Sequence, residues 1–468
     1  MLALAVLAVL APSAVADSNP YFSAPFQIHT NSYAFGQAPS FTPGGLVLSE
    51  TLSPSDARQV YLSRLDGSRM RCLTCGRLPG PNGFAAERTQ GDWILFCSEG
   101  AQPVDSGGPC YGGWGSDLYA MRPDGSHVTR LTQRSDPGGG AVFAADGVAY
   151  DNYHPYWSPD GRHIEWVRMT HLPLSQGGLR WEMMLADFVV HAGVPALDHI
   201  RVVGPGNVGE GYETQAWAPD GSGFLFTAFG QRSSPYQADP PGWQNLELYF
   251  MRVYGRGASP AHPMVTHLSD DSPAWDEQAV FTPDERNVIW MSSRDHPTWY
   301  QTLISGSQQL GFDAPNAASV AAPLLVYEIG HPDLRTELYM LDLRTRAIRR
   351  LTWDNRVIPE FGWSANGDRM LWTEIITRGS QRIYRTRVAT FAGTTAAERS
   401  GGNPLAASEL YGRPITPMAS IHAAPAAHAA LHGAVPAADL SYFDLFRSQV
   451  NELVAELKAQ LQIAGGAT

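Results

Sequence analysis

The sequence PYWSPDGRHIEWV at residues 155–167 decides the fold, because it contains the parts of a β-hairpin. Aromatic residues end one strand, and the alternating apolar residues of HIEWV form the next. Between them Pro159 fixes φ, Asp160 bonds its own backbone, and Gly161 accepts a positive φ. The segment therefore predicts two antiparallel strands joined by a tight turn.

The same hairpin recurs along the chain, which makes it the unit of a repeat. Close copies are QAWAPDGSGFLFT at 215–227, AVFTPDERNVIWM at 279–291 and FGWSANGDRMLWT at 361–373. Weaker copies are PSFTPGGLVLS at 39–49 and RTQGDWILFCS at 88–98, which brings the total to six.

A second hairpin motif follows several copies: QVYLSRLDGSRMRCLT at 59–74, DLYAMRPDGSHVTRLT at 117–132, ELYMLDLRTRAIRRLT at 337–352 and, more loosely, ELYFMRVYG at 247–255 with VTHLS at 265–269. Two hairpins per unit give four strands, and six units of roughly 60 residues occupy about 360 residues. We therefore predict an all-β protein, a six-bladed β-propeller of four-stranded blades over residues 35–392. Separate β-sandwich domains would not repeat one hairpin six times.

The combination of WSPDG, an alternating strand, DLYxM, DGS and RLT resembles the TolB-like propeller repeat. The resemblance covers about residues 35–392 and implies the propeller fold. It leaves function open, since the same blades serve as scaffolds, enzymes and accessory domains. TolB also carries a mixed α/β domain before its propeller, and residues 17–34 are too short a segment to form one. The resemblance is therefore to the propeller repeats alone.

Composition narrows the classes of function. The chain has 468 residues, is 44% hydrophobic and 17% charged, and carries a net charge of −12, which is typical of a globular protein. No stretch is rich in Lys or Arg, so we expect no nucleic-acid partner. Lys458 is the one lysine, which excludes Schiff-base chemistry and a lysine phosphate cradle within the propeller.

The first residues predict export. Residues 2–10 are apolar, too short to span a bilayer, and lead to Ala14-Val15-Ala16, a small-x-small cleavage site before Asp17. We interpret residues 1–16 as a signal peptide and 17–34 as an N-terminal segment of a periplasmic or secreted protein. No later run of 18 apolar residues predicts a membrane span.

The four cysteines lie close together at Cys72, Cys75, Cys97 and Cys110. In an exported chain an even number predicts two disulfides, for which three pairings exist. Turn-rich stretches between the partners favour Cys72 with Cys75 and Cys97 with Cys110. The alternative is zinc, but the spacing of the second pair is wrong for a zinc ribbon.

The segment after the propeller has a different composition. Residues 393–439 are rich in Ala, Pro and Gly and are predicted to be a linker. Residues 440–463 predict one amphipathic helix, with an apolar stripe of Phe443, Phe446, Val450, Leu453 and Leu457. The stripe fits either docking on the propeller or self-association with a second copy, and three heptads are too few to decide.

No catalytic motif is found, because the chain lacks a Gly-x-Ser-x-Gly elbow, a Walker A loop and H-E-x-x-H. Counting back from the aromatic residue of each hairpin places His154, Glu213, Glu277 and Glu360 near one mouth of the channel. These are the candidate ligand-binding residues. A carboxylate ring with one imidazole suits a divalent cation or a cationic ligand. The alternative is that these residues cap strand ends and bind water.

Two functions are compatible with these patterns. The first is an exported scaffold that binds an unidentified protein or carbohydrate partner and needs no cofactor. The second is a metal-dependent propeller enzyme of the oligogalacturonate lyase type, which the resemblance permits. Those lyases hold their metal with several His and a Gln, whereas His154 is the one histidine near the predicted mouth. The sequence therefore favours binding over catalysis.

Overall fold

A computed structural model of the chain covers most of the predicted propeller. The residues that it describes are 21–23, 26–27, 39–53, 57–100, 116–132, 149–171, 179–204, 212–229, 246–269, 274, 276–295, 336–353, 357–364, 367–378 and 381–391. The predicted signal peptide, linker and C-terminal helix lie outside these ranges and stay predictions.

The described strands, from β1 (Phe26–Gln27) onward, form six antiparallel sheets of four strands each. Blade 1 contains β2 (Ser40–Thr42), β3 (Gly45–Glu50), β4 (Gln59–Ser63) and β5 (Arg71–Cys72). Blade 2 contains β6 (Asn82–Glu87), β7 (Ile94–Ser98), β8 (Asp117–Met121) and β9 (Thr129–Arg130). Blade 3 contains β10 (Ala149–Trp157), β11 (His163–His171), β12 (Leu179–His191) and β13 (Val194–Val202).

The remaining blades complete the set. Blade 4 contains β14 (Tyr212–Trp217), β15 (Gly223–Phe229), β16 (Leu246–Arg252) and β17 (Met264–His267). Blade 5 contains β18 (Asp276–Phe281), β19 (Asn287–Ser292), β20 (Glu337–Asp342) and β21 (Ile348–Arg350). Blade 6 contains β22 (Val357–Trp363), β23 (Arg369–Arg378) and β24 (Gln381–Thr390), with β1 as its fourth strand.

The first strands of neighbouring blades contact one another around the whole ring, and β22 of blade 6 contacts β2 of blade 1. The ring is therefore closed, which confirms the six-bladed propeller of four-stranded blades. This architecture agrees with the TolB-like propeller that the repeats resemble.

Strand β1 closes the ring, since it pairs antiparallel with β24, with Phe26 opposite Val388. The predicted start of the propeller at residue 35 leaves this strand out. The difference has a simple cause: a two-residue strand contributes backbone hydrogen bonds but carries none of the repeat motif. Nearby, Phe22 is buried between Trp372 and Phe391.

The core lies between blades rather than inside one sheet. A large residue recurs at the same position of the second strand in successive blades, and all of these are buried: Phe96, Trp166, Phe226, Trp290 and Trp372. Trp290 of blade 5, for example, lies in one buried cluster with Phe250 of blade 4 and with Phe281 and Tyr339 of its own blade. Burial of the apolar area of each such side chain stabilises the folded protein by about 1.5–3 kcal/mol.

The Asp-Gly turns use their aspartates locally. The Oδ1 atom of Asp66 accepts the amide of Ser68 at 2.9 Å, and that of Asp220 accepts the amide of Ser222 at 2.8 Å. Asp124 and Asp160 accept amides two residues on in the same way. The carboxylates therefore stabilise the turns, as their spacing predicts.

The second motif contains a hydrogen-bonded unit that fixes the third and fourth strands together. In blade 2 the Thr132 hydroxyl donates to Asp117 at 2.7 Å and accepts the Leu118 amide at 2.9 Å. The Arg130 guanidinium donates to the same carboxylate. Blade 5 repeats the unit with Glu337, Thr352 and Arg350, and blade 4 repeats it with Glu247, Ser269 and His267.

Blade 1 varies this unit in an instructive way. Gln59 stands where the other blades have an acid, and Cys72 stands where blade 2 has Arg130. The Thr74 hydroxyl still donates to the Gln59 side chain and accepts the Val60 amide. Both charges of the ion pair are thus absent together, so no unpaired charge remains.

The Cys72–Cys75 disulfide is present, with the two Cα atoms 5.7 Å apart, as predicted. No free cysteine occurs among the described residues. Cys110 lies outside them, so its pairing with Cys97 stays a prediction. In the described part of the chain, no helix is long and apolar enough to cross a membrane.

The two faces of the ring differ in their connections. We call the face at which the first strand of each blade begins the upper face, and the opposite one the lower face. Connections at the lower face are short, and residues 253–263 form the longest. The strand ends at the upper face are separated by longer stretches of sequence, such as residues 99–116 between β7 and β8 and residues 293–336 between β19 and β20, and most of these residues lie outside the described ranges. Connections between strands carry binding residues more often than the strands themselves, so the strand ends at the upper face are where we look for a site.

Candidate functional site

The candidate site is built on an irregularity of the first strands. Their pairing with the second strand slips between Gly83 and Ala86, Tyr153 and Tyr156, Thr214 and Trp217, Glu277 and Val280, and Val357 and Glu360. Within these bulges Phe84, His154 and Gln278 adopt positive φ angles of 48°, 51° and 53°. Bulges turn side chains away from the regular alternation, and they are common next to functional sites.

The register places the predicted glutamates at one level. Glu213 pairs with Thr227, Glu277 with Met291 and Glu360 with Thr373. The aromatic residue that ends each first strand also has a partner on the second strand. In all three blades the partner of the glutamate lies three residues after the partner of that aromatic residue. The first strands of blades 4, 5 and 6 also contact in sequence. Three consecutive inner strands therefore carry a glutamate at equivalent positions. Glu277 is buried and Glu213 is half-buried.

His154 occupies a different position from these glutamates. By register it is equivalent to Thr214 and Gln278, one residue further along the strand. Its ring lies 4.0 Å from the ring of Phe84, and its carbonyl oxygen accepts the Thr214 hydroxyl at 2.8 Å. Burial lowers the pKa of His154 to about 3, so the imidazole is neutral at physiological pH.

A buried carboxyl that the sequence pattern did not single out lies on the second strand of blade 3, opposite Tyr156. Glu165 is fully buried, and burial raises its pKa well above the usual range. The Thr214 hydroxyl lies near Glu165 and opposes this rise in its pKa. The same hydroxyl donates its hydrogen to the carbonyl oxygen of His154. Neither carboxyl oxygen of Glu165 forms a hydrogen bond with a described residue, so the raised pKa means that the group is buried as the neutral acid.

The repeats contain a signal for Glu165. The residues at the equivalent position of other second strands are Leu95, Leu225, Ile289 and Leu371. A glutamate among aliphatic residues at a core position departs from the repeat, and comparison of the copies would have revealed it.

Blade 5 carries another buried acid at the start of its first strand. Asp276 has no exposed surface, and its carboxylate lies 3.3 Å from the Arg294 guanidinium. Burial raises the pKa of Asp276 to about 7, the positive charge of Arg294 opposes the shift, and the negative charge of Glu247 adds to it. Arg294 also lies over the rings of Trp290 and Tyr339. The carboxyl can therefore bind or release a proton near neutrality.

The upper ends of the blades are thus rich in buried acids. Each of these acids lies at the beginning of a first or third strand, or toward the end of a second strand. They are Glu50, Asp117, Glu247, Asp276, Glu277, Glu337 and Glu374. Several have one basic partner within their own blade. Among the side chains that the structure describes, no group of three or more His, Cys, Asp or Glu is arranged to hold a metal ion. The divalent cation expected at the mouth stays a prediction, as does the set His154, Glu213, Glu277 and Glu360.

Known proteins resemble the chain only distantly. No protein-family model matches it, and no curated protein matches it. TolB from Acinetobacter baumannii is 12% identical with a TM-score of 0.42, over 74% of this chain and 63% of that one. A putative TolB from Agrobacterium tumefaciens is 15% identical with a TM-score of 0.41, over 76% and 91%. An oligogalacturonate lyase in complex with manganese is 11% identical with a TM-score of 0.39, over 79% and 97%.

The chain thus spans less than two thirds of the Acinetobacter protein. At these identities and TM-scores, the fold assignment rests on the strand pairing described above.

Proposed function

We propose that this chain is an exported TolB-like propeller that works as a binding scaffold and takes a positively charged ligand or protein segment at its upper face. The observation that carries the proposal is the equivalent register of Glu213, Glu277 and Glu360 on three neighbouring inner strands. Propellers bind ligands at the ends of the central channel, where strands from several blades meet.

Electrostatics supports a cationic partner. The chain carries a net charge of −12, and buried acids concentrate at the upper ends of the blades. Carboxylates close together repel one another, and a bound cation relieves that repulsion. We propose binding rather than catalysis because the sequence contains no Gly-x-Ser-x-Gly elbow, Walker A loop or H-E-x-x-H motif.

The test compares two triple variants that remove the same charge. One is Glu213→Gln, Glu277→Gln and Glu360→Gln at the upper face; the control is Asp66→Asn, Asp124→Asn and Asp220→Asn in the lower-face turns. Asn keeps the side-chain oxygen that caps each turn. Unfolding of each protein is measured with added CaCl₂, MnCl₂ or a ten-lysine peptide.

We expect at least one probe to stabilise the wild type by about 2.7 kcal/mol at 100 times its dissociation constant. The lower-face variant keeps this gain and the upper-face variant loses it. Stabilisation by a metal alone would favour the cation site of the enzyme alternative, and stabilisation by the peptide would favour a protein partner. Equal gains in all three proteins would refute the proposal.

A further inference from the structure

A cavity of about 190 Å³ opens on the lower face at the junction of blades 1 and 2, at the opposite end of the ring from the glutamates. Its polar lining consists of Thr42, Ser63, Arg64, Arg69, Arg71 and Glu87. Three arginines thus surround one cavity in an acidic protein.

The turn that carries these arginines is held by its own hydrogen bonds. The Arg64 amide donates to the Ser68 carbonyl at 2.9 Å, and the Gly67 amide donates to the Arg64 carbonyl at 2.9 Å. Arg69 follows with a positive φ of 54°, a conformation that a non-glycine residue keeps only where its surroundings fix it. The backbone beneath two of the guanidinium groups is therefore preorganised.

Arg71 is fixed from the neighbouring blade. Its guanidinium donates to the carbonyl oxygens of Pro123 at 2.7 Å and Asp124 at 3.0 Å, which lie in the lower turn of blade 2. The carbonyl groups orient the guanidinium, and the Asp124 carboxylate also interacts electrostatically with Arg71. The third charge of the cavity therefore has a defined position.

The arginines outnumber the acid in the lining. Within the described part of the chain, neither Arg64 nor Arg69 forms an ion pair with a carboxylate. Outside the lining, the Asp66 carboxylate interacts electrostatically with Arg64 and the Asp124 carboxylate with Arg71, and each also accepts a turn amide through Oδ1. The lining itself contains three arginines and one acid. Glu87 is half-buried, and burial raises the pKa of its carboxyl, while a hydrogen bond with Thr42 opposes that shift. The lining carries a surplus of positive charge.

We propose that this cavity is an oxyanion-binding site that holds a phosphate, sulfate or carboxylate group between the guanidinium groups of Arg64, Arg69 and Arg71. Planar guanidinium groups bind such oxygens through paired, charge-assisted hydrogen bonds. The site is independent of the proposed cationic partner, because it lies on the other face and prefers the opposite charge.

Titration calorimetry at constant ionic strength tests the proposal, with inorganic phosphate, sulfate and acetate as probes. Arg64→Gln with Arg69→Gln is expected to weaken binding at least about 10-fold, the effect of removing charged hydrogen-bond donors. Arg162→Gln is the matched control, since Arg162 has a 78% exposed side chain on the same face in blade 3. It is expected to change binding less than about 2-fold.

Glu87→Gln provides a second readout with the opposite sign. Because it removes the negative charge of the lining, it is expected to strengthen binding of whichever anion binds the wild type. If phosphate or sulfate binds and acetate does not, the site is specific for tetrahedral oxyanions. If acetate also binds, the site accepts carboxylates as well. An unchanged affinity in the double variant, equal losses in Arg162→Gln, or weaker binding in Glu87→Gln would overturn the proposal.

Discussion

Replacing Asp276 by Asn should remove a pH dependence of stability that the wild-type protein shows between pH 5 and pH 7. Burial raises the pKa of this carboxyl to about 7, whereas the unfolded chain has a value of about 3.9. The folded protein therefore holds the proton more tightly. Its stabilisation is fully present below the unfolded pKa and is lost as the pH rises through about 7.

The magnitude follows from the difference of about three pKa units. Each unit corresponds to 1.36 kcal/mol, so the total is about 4 kcal/mol. Through this group the free energy of unfolding should fall by about 1.3 kcal/mol from pH 5 to pH 6, by about 1 kcal/mol from pH 6 to pH 7, and by little above pH 8. The amide introduced by Asp276→Asn stands in for the protonated acid and does not titrate, so the variant lacks this slope.

The assay is urea unfolding at pH 5, 6, 7 and 8 for the wild type and for Asp276→Asn, and the quantity compared is the difference between their free energies. Asp124→Asn is the control, because hydrogen bonds with Ser126 lower the pKa of Asp124 and place its titration below this range. A difference that stays constant from pH 5 to pH 8 would refute the reasoning, since Asp276 would then be ionised throughout.

Two further predictions concern the motif unit and the cysteines. Thr132→Val should destabilise the protein by about 1–3 kcal/mol, because it leaves the buried Leu118 amide without its partner and removes one hydrogen bond to Asp117, which keeps Arg130 and Asn152. Thr129→Val on the partly exposed outer strand should change the free energy of unfolding by less than about 0.5 kcal/mol. Denatured protein without reductant should show no reactive thiol, and two thiols in a colorimetric titration would contradict the pairing of Cys97 with Cys110.

The fold was largely predictable because each repeat is a local structure. An aromatic residue, a Pro-Asp-Gly turn and an alternating strand specify a hairpin within about a dozen residues, so every copy reports the same unit. Strand β1 was not predictable in this way. It has two residues, and the feature that matters is its backbone pairing with β24, with which many side chains are compatible.

The candidate site was predictable only in part. Counting back from the aromatic strand ends finds Glu213 and Glu277 four residues before them and Glu360 three residues before, all at the same end of the first strands. Only the strand pairing, shifted by the bulges, shows that the three glutamates lie at one level. The same count cannot show that His154 lies in a bulge against Phe84, since a bulge depends on how neighbouring blades pack. Burial of a polar group also depends on contacts distant in sequence.

The arginine-lined cavity was missed for a related reason. Arg64, Arg69 and Arg71 lie in one exposed turn, and a group of charges in a turn is typical of a solvated surface. The fixed geometry comes from the carbonyl oxygens of Pro123 and Asp124, more than 50 residues away in another blade.

The pairing of β1 with β24 has a consequence for the order of assembly. Blades 1 to 5 are each formed from one continuous stretch of chain, so each can form its hairpins as soon as that stretch is available. Blade 6 needs residues 26–27 together with residues 357–390, and the free energy of closing so long a loop depends only weakly on its length. A chain cut short before residue 381 would keep the contact of β22 with β2 that closes the ring but would lose β24, so β1 would have no partner and the outer edge of β23 would be exposed to pairing with other chains.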